Sequence, residues 1–137
     1  ESANKKIEDF YSYLNLLSDK NTSEKIQTEI RQNIFLLFKN KNVEITDFTS
    51  DEKQKVLLSD FLNKLESQKT RFSLAKKESQ EPKLFLEYWI SEYWIEVELN
   101  GEKSIKKISQ KIYFSPIYKK FGSKSKEVWE IKLGEIE

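Results

Sequence analysis

The chain reads as one α+β domain, residues 1–137, with three N-terminal helices packed on a curved antiparallel sheet of four to six strands. Two observations predict this class. Apolar residues recur at steps of three and four up to about Gln68, and alternate with polar ones after it. Asn100-Gly101, the strongest turn signal in the sequence, then falls in the middle of the extended half. A run of helices followed by a run of hairpin-linked strands makes an antiparallel sheet with helices on one face.

Each element follows in chain order. Residues 1–5 are polar and read as a disordered tether. Ile7, Phe10, Tyr11, Leu14 and Leu17 form one stripe of an amphipathic helix over residues 4–18. Ser18 to Thr22 is a turn, and Asn21 or Thr22 can cap a second helix that runs to about Lys39. Ile26, Ile30, Ile34, Leu37 and Phe38 are its buried stripe. Val43 to Thr46 alternates as a short strand. Thr49, with Glu52 three residues on, has the form of a capping box and predicts the start of a third helix. Val56, Leu57, Phe61, Leu62 and Leu65 are its inward residues.

Phe72 and Leu74 open the extended half, and Glu78 to Pro82 breaks it. A long strand spans Lys83 to Leu99 and a returning strand spans Lys103 to Phe114. Pro116 interrupts there, Gly122-Ser123-Lys124 turns, and a last strand covers Glu127 to Ile136. A strict two-residue turn at Asn100-Gly101 pairs Ile95 with Lys106. Ile105 and Ile108, three apart, predict an irregularity near Lys106-Lys107.

Composition narrows the chemistry. The chain has nine Phe, six Tyr and three Trp, so rigid rings supply much of the core. It has no Cys and no His, which excludes disulfides, thiolate chemistry, histidine general bases and histidine-ligated zinc. No catalytic, cofactor-binding or metal motif stands out, and no cofactor is expected. The net charge of +1 gives no global attraction to nucleic acid or membrane. No apolar run approaches the roughly 20 residues that span a bilayer. The chain contains no Met and opens on a polar stretch. Export with a leader removed, to a periplasmic or lipid-anchored place, is the expectation favoured over a cytoplasmic one.

Three features could carry function. The first is the tandem Tyr88-Trp89 and Tyr93-Trp94. Five residues is an odd step, so a regular strand sends Trp89 and Trp94 to opposite faces. A bulge at Ser91 would restore one face and hide both. A second copy of the chain could cover the outer rings. An exposed stacking platform for a flat ligand is the third reading. Tyr88, Trp89, Tyr93, Trp94 and Trp129 are therefore the candidate ligand or interface aromatics.

The second feature is charge segregation. Glu81 to Glu102 carries six acids and one Lys, and Lys103 to Lys126 carries eight Lys and no acid. A hairpin at Asn100-Gly101 lays Glu96 and Glu98 against Lys103, Lys106 or Lys107, which stabilises the pairing. Lys119, Lys120, Lys124 and Lys126 lie beyond that pairing, beside Tyr118 and Phe121, as a candidate basic patch for polyanions. The patch has no Arg, the side chain favoured for phosphate and stacking contacts, so nucleic acid is disfavoured. The third feature is the carboxylate set Glu87, Glu92, Glu96 and Glu98. Two acids on one face could act as an acid/base pair. Acids alternating with apolar residues more often form a solvated face.

The order of elements resembles the NTF2-like, or cystatin-like, superfamily. The likeness is carried by the opening helices ending at Phe35-Leu36-Leu37-Phe38, the strand at Val43-Glu44-Ile45, the helix placed after Thr49 and the strands from Phe72 onward. It covers nearly the whole chain as topology, without a motif. It implies a sheet wrapped around a long helix, a pocket at the open end and, in many members, dimers through the outer sheet face. The superfamily's Asp-His chemistry does not carry over to a chain without His.

The expected function is a non-catalytic binding or protein-interaction domain, with a homodimer through the sheet as one partner state. A small-ligand binder or enzyme with a carboxylate in a cone-shaped pocket is the alternative. Weak polyanion binding through Lys103 to Lys126 is the third.

Overall fold

The computed structural model describes residues 3–19, 21–50, 52, 54–68, 70–77, 83–84, 87–122 and 124–137, with the backbone alone described for 75–77, 83–84, 116–121 and 124–129. The expected break at Glu78 to Pro82 lies outside the described residues. The architecture is α+β: α1 (Ala3–Leu17), α2 (Glu24–Leu37) and α3 (Leu58–Glu66) with a mixed sheet of seven strands. The strands are β1 (Glu44–Thr46), β2 (Lys55–Leu57), β3 (Thr70–Lys77), β4 (Lys83–Leu84), β5 (Tyr88–Leu99), β6 (Glu102–Phe121) and β7 (Lys124–Ile136). Their order is β2-β1-β7-β6-β5-β3, with β4 also pairing β5.

The stripe predicted for α1 is its buried face: Ile7, Phe10, Tyr11, Leu14 and Leu17 are all inside. The helix begins at Ala3, within the stretch expected as a tether. The cap of α2 lies just past the predicted ones, at Ser23, whose side chain accepts from Ile26 N–H. α1 packs on β3 and β7, and α3 packs on β1 and β2. Rings knit these layers. Phe10 meets Tyr11 at 5.0 Å and Phe38 at 5.1 Å, and Phe48 meets Phe61 at 5.0 Å and Phe72 at 5.6 Å. Each such ring, moved from water to this interior, contributes roughly 1.5–3 kcal/mol.

The edge strand β3 is held by α1. Asn15 Nδ2 donates to Phe72 O at 2.9 Å, and Phe72 N–H donates to Asn15 Oδ1 at 2.7 Å. One side chain thus satisfies the outward main chain of a strand that would otherwise present a free edge.

Several expectations are corrected. The capping box at Thr49 does not start a helix. Asp47 Oδ1 accepts from both the main chain and the hydroxyl of Thr49, an Asx turn that occupies the would-be cap. The chain then forms β2, which holds Val56 and Leu57, and α3 begins only at Leu58. Leu58 N–H donates to Val43 O at 2.9 Å, so the main chain just before β1, not a side chain, satisfies the helix start.

The sheet is larger than the four to six strands expected, and it is not wholly antiparallel. β1 joins β7 in parallel through Ile45 and Ile136. This joint links segments far apart in sequence, which local periodicity does not register.

Pro116 does not interrupt its strand either. It stands opposite Trp129 within β6. Phe114 N–H turns to the β5 side, where it donates to Glu87 O. By alternation Pro116 also turns its missing N–H to that side, beyond the start of β5 at Tyr88. Among the described residues no partner strand faces Pro116 on that side.

Candidate functional site

β5 and β6 define the candidate site, and the turn between them sets its geometry. Asn100 (φ 52°) and Gly101 (φ 89°) both have positive φ, as a two-residue type I′ turn requires. The register runs unbroken from Leu99 opposite Glu102 to Tyr88 opposite Tyr113, with Ile95 opposite Lys106 as the turn dictates. The bulge expected at Ser91 is therefore not there, nor is the irregularity at Lys106-Lys107. The register shifts instead lie between Leu74 and Lys76 in β3 and between Gln110 and Ile112 against β7. Both sit at neighbouring strand pairs and leave the β5–β6 ladder straight.

An unbroken register sorts the side chains by parity. Trp89, Tyr93, Ile95 and Val97 turn toward the helices. Tyr93 is 2% exposed and Trp89 packs against the core. Tyr93, a candidate interface residue, is thus a core residue. Its ring lies 5.8 Å from that of Tyr11. Tyr11 Oη meets Tyr93 Oη at 2.8 Å, Tyr93 donates to Gln110 Oε1 at 2.7 Å, and Gln110 Nε2 donates to Gly134 O at 3.5 Å. This buried chain crosses from α1 through β5 and β6 to β7. Burial pushes the phenols of Tyr11 and Tyr93 well above their ordinary value, so both stay neutral donors.

Tyr88, Ile90, Glu92, Trp94, Glu96 and Glu98 occupy the opposite face of β5. Directly across from them on β6 stand Tyr113, Lys111, Ser109, Lys107, Ile105 and Lys103. Ile105 is 62% exposed while Ile108 is 2% exposed, so the two isoleucines take opposite faces with no distortion. The lysines dress this face. Lys107 Nζ lies 5.8 Å from the Trp94 ring centroid and 3.2 Å from Glu92, and Lys111 Nζ lies 4.8 Å from the Tyr88 ring. Lys103 reaches Glu96 at 3.8 Å. Of the expected pairings, Glu96 meets Lys103 and Glu98 stands opposite it, whereas Lys107 meets Glu92 and Lys106 stands opposite Ile95. Such exposed pairs are worth only about 0.2–1 kcal/mol each.

Trp129 stands opposite Pro116, Lys119 opposite Lys126, Lys120 opposite Ser125 and Phe121 opposite Lys124. The side chains of Trp129 and of the candidate basic patch lie outside the described residues. Glu87 precedes β5 and is exposed, while Glu92, Glu96 and Glu98 share the outer face.

Two polar clusters were not anticipated. Asp47 is 4% exposed and is bonded by Thr49 and by Lys64 Nζ. Burial pulls its carboxyl up, but the bonds from Lys64 and Thr49 outweigh that and hold it below the ordinary value. At the sheet's other side, Lys39 Nζ sits 3.0 Å from Tyr113 Oη and 3.1 Å from Glu135, and Tyr113 donates to Glu135 at 2.7 Å. Burial opposes the charges of Lys39 and Glu135. Their mutual contact and Tyr113 prevail, so the ammonium is raised and the carboxyl lowered. Both clusters unite segments distant in sequence, so no local pattern announces them.

Clefts open on the surface among the described residues. One of about 430 Å³ is lined by Asn15, Ser18, Asp19, Asn21, Thr70, Arg71, Glu98 and Gly101. Another of about 700 Å³ lies between the 46–55 segment and β6. Among the described residues no group of three acids is arranged to hold a metal, and no helix is long and apolar enough to cross a membrane. Comparison with known proteins gives no family model, no curated protein and no solved structure that matches the chain.

Proposed function

We propose that this chain is a non-catalytic protein-interaction domain that works through the outer face of its sheet, with a second copy of itself as the partner. The observation that supports this reading is the unbroken β5–β6 register. It sets Trp94, Tyr88, Ile90 and Ile105 on the face turned away from the helices. A two-fold contact needs a surface complementary to itself. This face has one row of acids on β5 and one of lysines on β6, so an antiparallel copy can lay each row on its opposite. The net charge of +1 puts little long-range repulsion between copies.

The finer architecture is part of the same proposal. A curved, NTF2-like cone accords with helices on one face of the sheet and with register shifts in β3 and β7, since bulges bend strands. Phe10, Phe38, Phe48, Phe61 and Phe72 are all buried in the core, which favours packing over a deep ligand pocket.

Light scattering tests the pairing. The mass of the wild-type chain is expected to rise from one to two copies with concentration. Trp94→Glu removes the central ring and adds an acid to the acidic row. It is expected to weaken pairing by about 2 kcal/mol or more, with unchanged far-ultraviolet circular dichroism. A wild-type mass that stays at one copy at high concentration contradicts the reading.

A further inference from the structure

The cleft of about 430 Å³ lies where the end of α1 and the turn after it meet the start of β3 and the tip of the β5–β6 hairpin. Its size is that of a small-molecule site, roughly 300–1,000 Å³. Its polar walls are held in place. Asn15 commits its amide to the main chain of Phe72, and Asp19 Oδ1 accepts from Asn21 N–H at 2.9 Å, which sets the turn.

Ser18 and Thr70 are the buried part of the lining, at 8% and 7% exposed. Their hydroxyls meet at 2.8 Å. One of the two hydroxyl hydrogens lies between them. The other is left over, and among the described residues nothing accepts it. A buried donor without an acceptor is costly, and a molecule in the cleft can supply one.

Three charged side chains line the cleft, and among the described residues none of them is in an ion pair. Arg71 and Glu98 stand directly opposite each other on β3 and β5 without joining. Lys103, opposite Glu98 on its other flank, reaches Glu96 instead. Asp19 stands just past the C-terminal end of α1, whose last turn has no basic residue. The negative end of that helix dipole is left without a cation.

We propose that this cleft binds a small zwitterion with one ammonium and one carboxylate, an amino acid. The carboxylate takes the Arg71 guanidinium and the spare hydroxyl hydrogen of the Ser18–Thr70 pair. The ammonium takes Asp19 and the end of α1. Two acids against one Arg give the lining a net charge of −1, which disfavours a simple anion. A simple cation would meet Arg71 with like charge and leave the hydroxyl hydrogen unpaired. A ligand with both charges pairs Arg71 and Asp19 together. Both residues lie off β5 and β6, and Glu98 is four residues from Trp94, about 13 Å along the strand. The site therefore stands whether or not the chain pairs through its outer face.

The test is titration of the whole isotope-labelled chain, followed by its amide NMR signals, with glycine, β-alanine, γ-aminobutyrate and ε-aminohexanoate in turn. At least one is expected to bind saturably and to shift the amides of Ser18, Asp19, Thr70 and Arg71. Its length then reports the separation of the two poles. Butylamine and butyrate hold one charge each and are expected to bind about tenfold more weakly or worse. Arg71→Gln and Asp19→Asn are each expected to weaken the amino acid about tenfold. Both side chains are exposed, and Asp19→Asn keeps the oxygen that accepts from Asn21. The two single-charge probes use the wild-type chain, so they decide even where a variant fails to fold. Butylamine or butyrate binding as tightly as the amino acid overturns the proposal. So does no saturation by any of the four at millimolar concentration, and so do shifts confined to other parts of the chain.

Discussion

The hydroxyl of Tyr93 has one hydrogen to give, and it goes to Gln110 Oε1. The bond between Tyr11 and Tyr93 must then run from Tyr11, which makes the two phenols unequal. Tyr93→Phe strips Gln110 of its donor and Tyr11 of its acceptor in a site closed to water. The expected loss is about 1–3 kcal/mol in urea unfolding. Tyr11→Phe leaves the Tyr93 to Gln110 bond intact and is expected to cost less. Equal losses would mean that the chain of bonds does not run in this direction. Gly134 makes a second prediction at this scale. A Cβ there would run into the Tyr113 ring, which Lys39 and Glu135 hold in place. Gly134→Ala is expected to destabilise by about 1–3 kcal/mol through overpacking. A change within the measurement error would show that the ring moves aside freely.

At the scale of elements, the β5–β6 hairpin is the best-specified piece of the fold. Both turn residues have positive φ, where a β-branched side chain is strained. Gly101→Val is expected to cost about 1–3 kcal/mol, read from denaturant unfolding. A neutral result would contradict the turn type. This hairpin was legible because its information is local. Two turn residues fix the register, and the parity of Trp89 and Trp94 follows by counting. The third helix was misread at the same scale. Thr49 and Glu52 fit a capping box, but Asp47, two residues before Thr49, takes the Thr49 N–H that Glu52 would have bonded. The bulges were illegible because they answer to cross-strand neighbours. The shift in β7 lies beside Gly134, where the Tyr113 ring needs the space. Nothing near either residue in sequence says so.

For the whole molecule, the shifted groups all sit outside the neutral range. Asp47 and Glu135 lie below the ordinary carboxylate value, so their stabilisation is full above about pH 4 and is lost as pH falls through their lowered values. Lys39, Tyr113, Tyr11 and Tyr93 lie above their ordinary values, so their contribution is full below about pH 10 and is lost as pH rises. With no His in the chain, the urea midpoint is expected to stay flat from about pH 5 to pH 9 and to fall on both sides. A slope through neutral pH would reveal a titrating group the structure does not contain. The α+β class and the α1 stripe were legible at this scale too, because hydrophobic periods record which face is buried, whereas Ile26 of the α2 stripe is exposed and Val56 and Leu57 belong to β2. The parallel joint of β1 to β7 and the Lys39–Glu135 contact were not. Both join segments far apart in sequence.

The proposed contact through the outer face of β5 and β6 is open to direct measurement, because the chain has no cysteine. Ser109 lies at the centre of that face, opposite Glu92. Ser109→Cys introduces one thiol there with little change in size. Its labelling rate is predicted to be fast in dilute solution and to fall as the protein concentration rises and copies cover the face. A rate that stays the same at every concentration would contradict the central claim.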